Sequence, residues 1–162
     1  MLLFNDKDKL IKIFQMLSYF KEIEIRTNES FEVIDVSQGV SAVVRDSGVL
    51  DGMVTITSLH TTCAVSINEY EERLLDDVQH CFLKLAPPGE DYKHNDLHLR
   101  VGIPPDEPEN AHAHLIAMML GNSEVVVVHE GELALGRYQS ILFVEMDGPR
   151  ERKLTVQVVG TN

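Results

Sequence analysis

The chain has 162 residues, 44% of them hydrophobic and 25% charged, which is enough for one domain with its own core. Its formal net charge of −12 at pH 7 argues against nucleic acid as the main partner, because a phosphate backbone would be repelled; a small phosphorylated ligand needs only a few local cations and stays open. The two cysteines, Cys63 and Cys81, form no CxxC pair and read as reduced thiols of a cytoplasmic protein, while the lack of any apolar run near the roughly 20 residues of a bilayer span argues against a membrane protein.

Residues 6–18 place Leu10, Ile13, Phe14 and Leu17 at helical spacing behind Asp6 and Asp8. The stretch reads as a short amphipathic helix, as an extension outside the main fold, or as an over-long start; its acids among lysines do not read as a signal peptide. Residues 1–18 are therefore taken as an extension and 19–162 as the single domain. Phe20–Thr27 alternates apolar with polar and predicts a strand, and Phe31–Val36 predicts another after the turn-like Asn28-Glu29-Ser30. Ser37 is placed to cap a helix over 38–47 that ends before Gly48. A strand over 53–59 runs into His60-Thr61-Thr62-Cys63-Ala64. Asn68 is placed to cap a helix over 69–86 with Leu74, Leu75, Val78, Phe82 and Leu85 as its core stripe.

Residues 87–109 hold Pro87, Pro88, Pro104, Pro105 and Pro108. They form the longest irregular segment, and long loops in small domains tend to be functional or disordered. Asn110 is placed to cap a helix over 111–120 that stops at Gly121. Val125–Val128 is a continuous β-branched run, the mark of a buried strand. Glu130-Gly131-Glu132 turns into Leu133–Leu135, and strands follow over 140–146 and 154–159. Strands mixed with two or three helices, without a βαβ repeat, predict a compact α+β domain with a mostly antiparallel sheet.

The chemistry-bearing residues cluster unevenly. His94, His98, His112 and His114 fall within 21 positions, and neutral imidazole is both the commonest metal ligand and the natural acid/base near pH 7. His112 and His114 would share a face on a strand but point about 200° apart on a helix. With Asn110 as a cap the helix is favoured, so one of the pair faces the site. His114, sharing a face with Met118 toward the interior, is the candidate. His60, Thr61 and Thr62 sit where a strand ends and can orient a polar ligand or a water. Glu69, beside Asn68 at a helix start, is a base or metal ligand if it faces His60, and a dipole-stabilised structural acid otherwise. Cys63 has no neighbouring base in sequence, so a nucleophilic role is poorly supported. The run Gly148-Pro149-Arg150-Glu151-Arg152-Lys153 is the one cationic knot of an acidic chain. Its arginines suit phosphate, or else lie solvated on a hairpin turn.

Together, His60-Thr-Thr-Cys-Ala-Val-Ser-Ile-Asn-Glu69, Tyr92-Lys-His-Asn95, Asn110-Ala-His-Ala-His-Leu115, Leu135-Gly-Arg-Tyr-Gln-Ser-Ile141 and Asp147-Gly-Pro-Arg-Glu-Arg152 resemble the YjbQ-like family, described as secondary thiamine-phosphate synthases. The resemblance covers roughly residues 20–160. It implies a homotrimer with sites near subunit interfaces and metal ions on the histidines. It also implies the coupling of hydroxymethylpyrimidine pyrophosphate to thiazole phosphate, giving thiamine phosphate and pyrophosphate. Family members often carry Gly-Thr-Trp-Gln where this chain has Gly136-Arg137-Tyr138-Gln139, which keeps a smaller aromatic and adds a cation.

Carried onto this chain, the resemblance implies His60, Glu69 and His114 as catalytic groups. Thr61, Thr62, Asn68, Asn110, Tyr138, Gln139, Arg150 and Arg152 become substrate contacts, and His94, His112 and His114 metal ligands. The metal is zinc on the histidines or magnesium carried with pyrophosphate. Two other expectations stand beside the transferase: a trimer that binds a metal or phosphate ligand without catalysis, and a hydrolase in which histidine-held zinc activates water.

Overall fold

The computed structural model describes residues 15–162. Eight strands and three helices run in the order β1 Met16–Arg26, β2 Glu32–Asp35, α1 Ser37–Ser47, β3 Asp51–Ser58, β4 Cys63–Asn68, α2 Glu72–Leu85, α3 Ala111–Leu120, β5 Ser123–His129, β6 Glu132–Leu133, β7 Ser140–Glu145 and β8 Glu151–Thr161. Most of the predicted N-terminal helix, 6–14, lies outside the described residues. Its end is corrected: Met16-Leu17-Ser18 is strand, paired with Thr161, Gly160 and Val159 of β8.

The strands form two sheets, β1-β8-β3-β5-β6 and β2-β7-β4, and every pairing is antiparallel. The α+β reading is thus met. Alternation places Val54 and Ile56 of β3, Val126 and Val128 of β5, and Leu154, Val156 and Val158 of β8 on one face. That face packs on Cys63, Val65, Ile141 and Phe143 of the smaller sheet. Helix α1 closes one side with Val40, Val43 and Val44, at the i, i+3, i+4 spacing of a buried stripe. Each valine so buried contributes roughly 1.5–3 kcal/mol. A second, smaller core lies behind the three-stranded sheet, where Ala64, Val144 and Met146 meet Ala113, Ile116 and Ala117 of α3.

Several local expectations are corrected by where neighbours sit. β4 was legible only as a trailing strand end, yet Cys63–Asn68 is a full strand paired along β7. Asn68 therefore ends a strand, and the cap of α2 is Glu71, whose carboxylate accepts from the backbone N–H groups of Arg73 and Leu74. Ser37 is the first residue of α1 and not its cap; its hydroxyl oxygen accepts from the Ile141 N–H at 2.8 Å. The strand buried on both faces is β7, whose Ile141 to Glu145 are all buried. In β5, by contrast, Val125 and Val127 remain 56% and 59% exposed. No helix among the described residues is long and apolar enough to cross a membrane.

Candidate functional site

One end of the two-sheet stack gathers the chemistry. β3 ends at Ser58 and β4 starts at Cys63, so the connecting loop carries His60, Thr61 and Thr62 to that end. β7 ends at Glu145 opposite Cys63, and the Asp147-Gly148-Pro149 turn leads into β8. A Cβ on Gly148 would stand 2.2 Å from the Glu29 carbonyl oxygen and 2.9 Å from Glu145 Cγ, so only glycine lets this turn lie so close to the sheet end. The start of α3 closes the other side: Asn110 Nδ2 donates to Asp147 Oδ2 at 2.8 Å.

The anchor of this end is a buried ion pair. Glu145 is 0% and Arg152 7% exposed by side chain, with Nε donating to Oε2 at 2.5 Å and Nη2 donating to Oε1 at 2.6 Å. The same carboxylate accepts from the Thr27 hydroxyl at 3.2 Å and from the Met146 and Asp147 backbone N–H groups at 3.0 and 2.9 Å. Burial alone would raise the Glu145 pKa, but the Arg152 and backbone hydrogen bonds outweigh it and hold the carboxyl below its usual range. Burial, followed by the negative Glu145, pushes the neighbouring Cys63 thiol up to about 12, which leaves it an inert packing group.

Beside the pair a cleft of about 610 Å³ opens between the β3–β4 loop and α3, walled by Ser58, His60 and Thr61 on one side and His114, Met118 and Asn122 on the other. This lies within the size range of small-molecule sites. His114 does face the cleft, but not the interior: Met118, one turn on, is 83% exposed, and Ala113, Ile116 and Ala117 take the core face. Burial, and then the neighbouring His94, lower the His114 pKa, so its imidazole is neutral near pH 7. The His94 and His114 rings meet edge to face, with centroids 4.8 Å apart. His94 Nε2 and His112 Nδ1 are buried without a hydrogen-bond partner among the described residues.

The proline-rich segment is held in place to present His94. Arg100 donates to the His94 carbonyl at 3.3 Å and to Glu107 at 2.8 Å. Asn95 Oδ1 accepts the Ala111 N–H at 3.1 Å, so Asn95 does the capping expected of Asn110. Asn110 is spent on Asp147 instead.

The remaining predicted residues divide by place. Thr62 is buried and its hydroxyl receives an Arg152 Nη2 contact at 3.3 Å. Arg152 is therefore an internal partner of Glu145 in this chain and not an open phosphate contact. Arg150 stays 43% exposed while bonding Asp147 through Nη2 at 3.2 Å. With Arg26, Thr27 and Asn28 it lines a separate cleft of about 450 Å³. Asn68 and Glu69 lie at the far end of β4, in an apolar groove with Leu74 and Phe82 of α2. Five residue steps along the strand put them about 17 Å beyond the His60 end, so within one chain Glu69 does not face His60. Gln139 Oε1 accepts the Gly136 N–H at 2.7 Å and closes its own turn. Tyr138 beside it is exposed, with the Arg137 guanidinium carbon 5.3 Å from its ring centre. Among the described residues no three His, Cys, Asp or Glu side chains are placed to hold one metal ion; His94 and His114 come together, and His112 does not complete the set.

Sequence reasoning missed Glu145, and it gave no role to Asp147 and Asn95 although both lie in motifs it quoted. The first carried a signal: an acid in the inward phase of Ile141 and Phe143, matched by Arg152 in the inward phase of Leu154 and Val156.

The family described as UPF0047 protein YjbQ-like matches residues 21–161, and the chain belongs to it. A UPF0047 protein of Methanothermobacter thermautotrophicus is 39% identical over 142 residues, covering 88% of this chain and 92% of that one. One from Archaeoglobus fulgidus is 42% identical over 138 residues, covering 85% and 99%. Among solved structures, a YbjQ-like protein of unknown function from Sulfolobus solfataricus P2 superposes with a TM-score of 0.82 at 37% identity, over 90% of this chain and 99% of that one. A hypothetical protein from Aeropyrum pernix K1 gives 0.79 at 37%, over 87% and 98%.

Proposed function

We propose that this YjbQ-like protein is a low-efficiency transferase of the thiamine-phosphate synthase type, acting on a small phosphorylated substrate in the cleft between the β3–β4 loop and α3. The observation that carries the reading is the joining of His60, Thr61 and His114 around one cleft of about 610 Å³. His60 and Thr61 are neighbours in sequence and His114 lies more than 50 positions further on, so the fold brings a strand-end loop and a helix start to one cleft. Leu59 and Met118 give the cleft an apolar rim for a heterocycle.

In the coupling reaction the carbon–oxygen bond to pyrophosphate breaks and the thiazole nitrogen forms the new bond to that carbon. Negative charge builds on the departing pyrophosphate, and fixed donors at that point lower the barrier. The Ser58 and Thr61 hydroxyls and the cleft imidazoles are the groups placed to supply them. A divalent ion fits two of the predicted ligands: His94 Nε2 is unpartnered, and His94 and His114 are ring neighbours. When bound, such an ion would add electrostatic stabilisation to the leaving group.

Assembly as a homotrimer belongs to the same proposal. Its support is the outer face of the five-stranded sheet, where Phe20, Met53, Val125 and Val127 are all more than half exposed. An apolar face of this kind marks an association surface. The deciding experiment incubates purified protein, free of contaminating synthase, with both precursors. Thiamine phosphate that disappears with His114→Ala is expected; no thiamine phosphate from the unaltered protein refutes the transferase. Retained pyrophosphate or metal binding without turnover would establish the non-catalytic binding trimer in its place.

A further inference from the structure

His60 is fixed by the backbone of the strand beside it. The last β3–β8 pair is Ser58 with Leu154, and one residue on, the Leu59 N–H still donates to the Lys153 carbonyl at 3.3 Å. The Lys153 N–H has no strand carbonyl left to bond. It donates instead to His60 Nε2 at 2.8 Å. The imidazole thus replaces the strand acceptor that β3 stops supplying.

This settles the tautomer. A backbone amide only donates, so the nitrogen that receives it presents a lone pair. In the neutral ring the proton then sits on Nδ1. Nδ1 makes no hydrogen bond among the described residues and is not one of their buried unpartnered atoms, so it is accessible. His60 borders the cleft of about 610 Å³ and also one of about 410 Å³ with Arg26 and Lys153, and Nδ1 is taken as serving the first. Protonating the ring would set an N–H against the Lys153 N–H. Burial and the Arg152 guanidinium of β8 disfavour it further, and Glu145 of β7, which would favour it, is already paired with Arg152.

We infer that His60 is a hydrogen-bond donor of fixed tautomer, whose Nδ1–H binds a phosphoryl or pyrophosphoryl oxygen of the cleft's ligand, and that it neither accepts a proton nor ligates a metal ion there. The inference rests on the cleft being the ligand site. It separates two roles that the sequence left joined: His60 holds an anionic oxygen, and proton transfer or metal binding falls to His114.

The test uses the full chain, uniformly labelled with nitrogen-15, with His60→Ala to assign the ring signals. Long-range proton–nitrogen spectra are expected to show a protonated Nδ1 and an unprotonated Nε2, unchanged between about pH 6 and 8 where a free imidazole titrates. Inorganic pyrophosphate is then titrated calorimetrically. His60→Ala should weaken it by about tenfold, as expected for one lost hydrogen bond to a charged group. His60→Asn, which keeps an N–H donor near the Nδ1 position, should recover most of that loss. Pyrophosphate binding together with an Nε2-protonated ring, or with His60→Asn as weak as His60→Ala, would overturn this inference alone. No pyrophosphate binding by the unaltered chain would overturn both it and the reading of the cleft.

Discussion

Replacing either partner of the Glu145–Arg152 pair should destabilise the fold unequally, and the structure sets the order. Breaking a buried ion pair by removing one member costs about 3–5 kcal/mol, because the survivor keeps its charge without its partner. The survivors differ here. In Arg152→Met the Glu145 carboxylate retains the Thr27 hydroxyl and the Met146 and Asp147 backbone N–H groups, three donors at 3.2 Å or less. In Glu145→Leu the Arg152 guanidinium keeps only the Thr62 hydroxyl at 3.3 Å and the Asp147 carbonyl at 3.5 Å. Arg152→Met should therefore fall near the lower bound, about 3 kcal/mol, and Glu145→Leu near the upper, about 5 kcal/mol. The double replacement should recover much of the loss, since two apolar side chains leave no charge behind. Urea unfolding followed by circular dichroism measures all four proteins of the cycle. Equal single costs, or a costlier Arg152→Met, would refute the view that backbone donors hold this carboxylate in place.

Three further outcomes follow from the same geometry. His60, His112 and His114 all have pKa values lowered mainly by burial, so the unfolded chain binds protons that the native one does not once pH falls below the ordinary imidazole value of about 6.5. Stability should thus be complete above that value and decline as pH falls through it toward the lower native values; a urea midpoint at pH 5.5 equal to or above that at pH 7.5 would contradict this. Cys63 is buried with a pKa near 12 while Cys81 is exposed, so a thiol-specific reagent at pH 8 should modify one thiol per native chain and two after denaturation. Val127→Glu places a charge on the exposed apolar sheet face, and light scattering should show single-chain mass where the unaltered protein shows the proposed trimer, whereas a trimer mass kept by the variant would remove that face from the proposed interface.

What could be read from the sequence depended on whether a residue's neighbours along the chain carry the reason for it. β1 and β8 were legible because one face of each packs inward, so Ile23 and Ile25, or Leu154, Val156 and Val158, recur at every second position. Val125–Val128 read as doubly buried because the residues facing away from this chain are apolar too. The sequence does not tell which apolar residues of such a run meet this chain's own core, and Val125 and Val127 do not. β4 was hidden by its flanks: His60-Thr61-Thr62 before it and Asn68 after it look like a strand end and a helix cap, and only pairing along β7 makes the interval a strand.

The site divides along the same line. Individual imidazoles were legible from type and position, but their grouping was not, because His60, His94 and His114 arrive on a strand-end loop, a proline-rich segment and a helix. The role of substrate contact read for Arg152 had to be given up for a physical reason that the sequence does contain. Counting by twos from Leu154 puts Arg152 inward and Lys153 outward, and counting by twos from Ile141 puts Glu145 inward. Two opposite charges in the inward phase of adjoining strands, separated by a turn too tight to let either escape, require each other. That inward pair removes Arg152 from solvent and holds the end of β7 against the start of β8. The turn between them can then present Asp147 to both Asn110 and Arg150. The buried salt bridge is thereby the frame of the site, and the groups free to meet a ligand are those whose phase or loop position points them away from it.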